Sequence, residues 1–133
     1  VRAVDTNVLA RFYLRDDAAQ ARIASRILSA GDVFVPKTVV LELEWVLRLV
    51  AEQPADKVLE CLAHLLALPG VMVEDEEQVE AALRDARHGV DFADALHLAA
   101  SGACTELLTF DDRGYARRAA KLGLKPPVRL PRL

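Results

Sequence analysis

Four acidic positions carry the chemistry that this sequence could perform. An apolar run opens the chain and ends in an acid, a hydroxyl and an amide, Asp5, Thr6 and Asn7, before apolar residues resume at Val8. Glu42 stands inside VVLELEWVL and Asp94 inside FADALHLAA, while Asp111 and Asp112 follow LLTF. A charge inside an apolar helix costs several kcal/mol if it is buried alone, so Glu42 and Asp94 need either solvent or a cation. Carboxylates gathered without balancing lysine or arginine repel one another and hold their protons more tightly. A divalent cation relieves that repulsion, and an all-oxygen donor set selects Mg²⁺ or Mn²⁺. The chemistry that fits such a site is phosphodiester hydrolysis.

Each acid also has a structural alternative. Asp5 could form an Asx turn, and Asp91 and Asp111 could cap helices. Asp91 and Asp94 are three positions apart and share a helix face. What argues for chemistry is the number of acids expected at one place, which depends on the elements that carry them.

Those elements alternate. Val1 to Val4 predicts a strand, Asn7 to about Leu14 a helix, and Ala18 to Ala30 a second helix with Asp16 or Asp17 as cap and Gly31 as terminator. DVFVP predicts a strand stopped by Pro36, and Thr38 a cap for a helix running to about Gln53. Pro54 starts the next helix, VMVE predicts a strand, and Asp75 with Gln78 has the form of a capping box for a helix ending at RHG. DFADALHLAA, a strand at ELLTF, a helix from Asp111 to Leu122 closed by Gly123, and an edge strand in PPVRLP complete the chain. The fold class expected is therefore α/β, three layers (α/β/α) around a central parallel sheet of about five strands, as one domain over residues 1–133. Ligands of such sheets bind at the carboxyl ends of the strands. Asp5 and Asp111 end the first and fourth strands, expected side by side, and Glu42 and Asp94 lie near the starts of helices at the same edge.

Composition adds exclusions more than assignments. Hydrophobic residues make up 53% of the 133, enough for a globular core. With a net charge of −3, any nucleic acid must be held by local basic patches. No apolar run is long enough for a membrane span, nothing resembles a signal peptide, and Val1 in place of methionine implies a trimmed N-terminus. Cys61 and Cys104 lack metal-type spacing and read as buried, reduced residues of a cytoplasmic protein. The acidic run EDEEQ reads as a solvated helix start with no chemistry.

The residues in their order resemble the PIN domain family, and more narrowly its VapC-type toxin ribonucleases. Asp5-Thr6-Asn7 after a short strand, Glu42 in an apolar helix, DFADALHLAA and LLTFDDRGYARRAAKLG carry that resemblance. It implies a Mg²⁺- or Mn²⁺-dependent ribonuclease with Asp5, Glu42, Asp94 and Asp111 as catalytic, metal-holding acids. It implies supporting hydrogen bonds from Thr6, Asn7 and Thr109, a homodimer, and a cognate antitoxin protein. Asp91, three positions before Asp94, is a further supporting candidate, and so is Asp112, since TFDDRGY offers two adjacent aspartates, of which Asp111 is favoured by its place after Thr109. Arg113 is a candidate contact for an RNA phosphate. His97 is read as a packing or hydrogen-bonding residue.

Rival readings are a catalytically silent partner-binding domain of the same fold, a DNA nuclease, and a receiver-like phosphoacceptor domain. Thr109 and Lys125-Pro126 suit the last, but it leaves Glu42 and Asp94 without a role. A dimer is expected on independent grounds. From Val39 to Val50 only Glu42, Glu44 and Arg48 are polar, more apolar surface than one sheet face covers.

Overall fold

The computed structural model describes residues 1–132 and divides into two compact units, Val1–Glu76 and Glu77–Leu133. Among the described residues there are five short strands, all paired in parallel, and seven α-helices, the expected α/β class.

The first unit runs β1 (Arg2–Ala3), α1 (Thr6–Leu14), α2 (Ala18–Ala30), β2 (Val33–Val35), α3 (Lys37–Trp45), α4 (Ala55–Ala67) and β3 (Val71–Val73). The three strands form a parallel ladder in the order β1-β2-β3, with Ala3 opposite Phe34 and Phe34 opposite Met72. Alternation decides the faces. Val33, Val35, Val71 and Val73 are buried, while Met72 between them is 53% exposed. Leu9, Leu43, Leu47, Leu62 and Leu65 fill the core of this unit, each contributing about 1.5–3 kcal/mol by its burial.

Capping explains several boundaries. Asp5 is extended (φ −85°, ψ 165°) and caps α1, which begins at Thr6, one residue before the expected start. Asp17 caps α2 by accepting from the Gln20 amide at 3.0 Å. Thr38 does not cap α3. The helix starts at Lys37, and the Lys37 amide donates to the Glu74 carboxylate at 2.8 Å. Asp75, expected to open a capping box with Gln78, has a further role. Asp75 takes φ +48°, not the extended backbone of a cap, and its carboxylate holds Lys37 Nζ at 2.9 Å. The acidic run after β3 thus has a structural task, tying that strand to the start of α3.

Beyond Trp45 the helix continues as a π-helical turn, Val46–Val50, in which the Ala51 amide reaches back five residues to the Val46 carbonyl. Glu44, buried, takes Arg48 in a two-point ion pair at 2.6 and 3.3 Å. Val40, Leu43 and Leu47 turn inward, whereas Trp45, Leu49 and Val50 are at least half exposed.

The second unit holds most of α5 (Glu76–Arg87), then α6 (Phe92–Ala100), β4 (Leu107–Leu108), a π-helical turn (Asp112–Ala116), α7 (Arg117–Leu122) and β5 (Val128–Arg129). β4 and β5 pair in parallel, Leu107 opposite Val128, so the proline-flanked segment is the strand expected of it. Strand partners recorded among the described residues are β1 with β2, β2 with β3 and β4 with β5, and the expected pairing of the first strand with the fourth is not one of them. α6 stops at Ala100 and leaves Cys104 exposed on the following turn, while Cys61, on α4, is only partly buried, so neither cysteine has the burial expected of it. No helix is long and apolar enough to cross a membrane among the described residues.

Gly31 and Gly70 bring two turns of the first unit together. Both have positive φ (77° and 76°), and a Cβ on Gly70 would stand 2.8 Å from the Gly31 Cα. Gly123, also at positive φ (67°), has nothing within 4 Å of such a Cβ. Gly70→Ala should therefore lower stability by about 1–3 kcal/mol and by more than Gly123→Ala, whose cost is the left-handed conformation alone. Urea unfolding of the two variants measures the difference.

Candidate functional site

Each unit positions two of the four acids. In the first, the turn from β1 into α1 presents Asp5, and the second turn of α3 presents Glu42. Asp5 Oδ1 accepts from the Thr6 amide at 2.7 Å. Thr6, itself buried, donates its hydroxyl to Glu42 Oε1. One threonine thus bonds to both carboxylates, through its backbone and through its side chain. Asp5, Thr6, Asn7, Arg11 and Glu42 line a shared concavity of about 250 Å³. Glu42 is exposed, so the charge inside an apolar helix keeps its hydration, one of the two escapes open to it.

In the second unit, Asp91 is the N-cap of α6 and accepts from the Asp94 amide at 3.0 Å. Asp94, half-buried, holds its proton above the usual carboxylate range. Burial is the main cause, the Asp91 charge adds to it, His97 opposes it, and the Asp111 charge raises it further. Asp111 ends the segment after β4 and caps the π-helical turn, its Oδ1 accepting from the Gly114 amide at 2.9 Å. Its own amide donates to Thr109 Oγ1 at 3.1 Å, so Thr109 orients the backbone that carries the acid. Asp112 differs from its neighbour. Its carboxylate pairs with Arg117 at 2.8 Å and is thereby balanced. Arg113 is exposed.

Tyr115 was not singled out from the sequence. Its ring is buried and its hydroxyl donates to the Asp94 carbonyl at 2.8 Å, which fixes the first turn of α6. Burial, with Asp94, Asp85 and Asp91 nearby, pushes its phenol up to about 12, so it remains a neutral donor. A tyrosine four residues beyond the acid of TFD was the available signal, but its reach to α6 is a tertiary fact.

The donors present are hard carboxylate oxygens, and neither Asp5 nor Glu42 is spent on an ion pair with lysine or arginine among the described residues. That chemistry suits Mg²⁺ or Mn²⁺. Among the described residues no group of three or more His, Cys, Asp or Glu side chains is gathered closely enough to hold a metal ion.

The family model described as the PIN domain matches residues 2–122. No curated protein matches the chain.

The raised proton affinity of Asp94 has a direct consequence for stability. A carboxyl whose folded-state pKa is raised stabilises the fold when protonated and loses that contribution as pH rises through the folded-state value. In EDTA, Asp94→Asn should therefore be at least as stable as the parent at neutral pH, by a fraction of a kcal/mol because solvent screens a half-exposed group. The advantage should vanish as pH falls through the carboxylate range. Thermal melts in EDTA at several pH values measure it, and a variant melting lower at every pH would contradict it.

Proposed function

We propose that this chain, which belongs to the PIN domain family, is a metal-dependent ribonuclease and the toxin of a toxin–antitoxin pair. PIN domains are mostly metal-dependent nucleases, so the nucleic-acid substrate and the divalent ion follow the family, and RNA and the toxin role follow the narrower resemblance of the four motifs. The observation that carries the reading is the pair Asp5 and Glu42, joined through Thr6 in one concavity and without a lysine or arginine ion-pair partner among the described residues.

In this reading Asp5, Glu42, Asp94 and Asp111 hold Mg²⁺ or Mn²⁺, and residues 1–133 act as one domain, since the family match runs across the boundary between the two units. The ion, when bound, supplies Lewis acidity toward a phosphoryl oxygen. The protein's own part is positional. Thr6 fixes the Glu42 carboxylate, the Asp5 and Asp111 caps fix theirs, and Tyr115 pins the helix turn that bears Asp94. Asn7 and Asp91 support the acids, Asp112 stays paired with Arg117, and Arg113 contacts an RNA phosphate. The protein works in the cytoplasm, restrained by a cognate antitoxin.

A twofold homodimer belongs to the same reading. Trp45 (50% exposed), Leu49 (52%) and Val50 (63%) form an apolar surface that a second copy would bury.

Purified protein should cleave single-stranded RNA with Mn²⁺ or Mg²⁺ and lose the activity in EDTA. Asp5→Asn, Glu42→Gln, Asp94→Asn and Asp111→Asn should each reduce the rate about 100-fold or more while melting cooperatively. Asp112→Asn should reduce it far less. Absence of cleavage on tRNA, rRNA and single-stranded RNA with either ion would leave the silent partner-binding reading in its place.

Light scattering at micromolar concentration should give the mass of a dimer, and Leu49→Glu should shift it toward the monomer. A parent protein that is strictly monomeric would remove the dimer from the proposal.

A further inference from the structure

Two concavities of the first unit meet at one arginine. The acid-lined one, of about 250 Å³, contains Asp5 and Glu42. A second, of about 320 Å³, lies along α1 and α2 and includes Val8, Ile23, Ala24 and Ile27. Asn7 and Arg11 line both, as residues four apart on one face of α1 can. Arg11 is the only lysine or arginine among the residues lining either one.

The guanidinium is held but not consumed. Its Nε donates to Gln20 Oε1 at 2.7 Å. Nη1 stands 3.5 Å from Asp16 Oδ2, a long pair between partly exposed groups, worth about 0–1 kcal/mol. Nη2 has no hydrogen-bond partner among the described residues. A planar fork anchored at one end and open at the other suits a phosphate. A polyanion reaching Asp5 and Glu42 on a chain of net charge −3 also needs a local cation, and Arg11 supplies it where the two concavities join. Beyond it the groove turns apolar, with Ile23 57% exposed, the surface that a base or sugar can cover.

We infer that Arg11 holds a substrate phosphate in a nucleotide subsite that runs from the Asp5–Glu42 concavity into the groove between α1 and α2. The inference rests on the ribonuclease reading and adds to it the track of the strand: the nucleotide next to the scissile phosphate lies on α2. Gln20 is a positioning residue, acting through the Arg11 fork.

The test compares parent, Arg11→Ala, Arg11→Lys and Gln20→Ala as full chains. A short fluorescein-labelled single-stranded RNA is the probe, cleaved in Mn²⁺ and bound in EDTA over a range of salt. Arg11→Ala should raise KM about tenfold with kcat within about twofold, and should reduce the salt slope of binding by about 1. Arg11→Lys should restore the slope but only part of the KM, because a point charge replaces a fork. Gln20→Ala should raise KM less and leave the slope intact. Unchanged KM and slope in Arg11→Ala, in a parent background that cuts RNA, would overturn the inference alone and leave Arg11 as a tie between helices or the groove as a protein-docking surface. If Arg11→Ala does not fold, the decision passes to the other two, and an unchanged KM in both overturns it. A parent that neither binds nor cuts RNA sinks the ribonuclease reading and the subsite together.

Discussion

Carboxylates without a basic partner are kept in place by backbone amides. Asp5, Asp91 and Asp111 each give Oδ1 to an amide at the start of a helical segment, at 2.7–3.0 Å. Amides at a helix start carry partial positive charge and favour an anion there, typically by 0.3–1 kcal/mol. That attraction favours each carboxylate in place without neutralising its charge. The capping and ligand-holding roles of these acids are therefore compatible: one oxygen anchors the side chain while the other, in Asp5 and Asp111, has no hydrogen-bond partner among the described residues. Asp94 has no such anchor, and burial first, then the Asp91 and Asp111 charges, raise its proton affinity.

The stretch from α3 through its π-helical turn meets a different demand with the same economy. It carries a charge that must stay wet, Glu42, and one that is buried, Glu44, two positions apart. Successive helical positions point in different directions, so Glu42 reaches solvent and the Thr6 hydroxyl while Glu44 turns inward and requires Arg48. Losing Arg48 would leave a buried carboxylate unpaired, a change of the kind that costs about 3–5 kcal/mol. The π-helical turn adds a residue to the last turn of this stretch, and beyond the buried Leu47 it leaves Leu49 and Val50 exposed.

Much of this was legible in the chain itself. The limits of α2 followed from the pair Asp16 and Asp17, of which the structure uses Asp17, and from Gly31, and the parallel α/β class from strands that alternate with helices. The family resemblance came from four short acid-bearing segments in order, and the match over residues 2–122 agrees with it. These features are local: a cap, a terminator or a strand of alternating valines is decided by residues within a few positions of one another. The preference for Asp111 over Asp112 came from the same local reading, and the Asp112–Arg117 pair is a physical reason to retain it.

Where sequence reasoning went astray, the partner was distant. Asp75 has the form of a cap, and no local signal shows that Lys37, far back in the chain, also bonds its carboxylate. Thr38 looks like a cap because the Glu74 carboxylate that displaces it is invisible locally. Cys104 looked buried until α6 stopped short of it. The role of Thr6 between two acids, the reach of Tyr115 to Asp94 and the position of Arg11 where two concavities join all depend on which elements pack together. The sequence by itself determined the elements and the supply of acids, because propensity, capping and periodicity act over a few residues. Only the tertiary structure decided which acids are paired with a base, which are not and which cation stands beside them, because ion pairs and hydrogen bonds form between atoms close in space, however far apart in the chain.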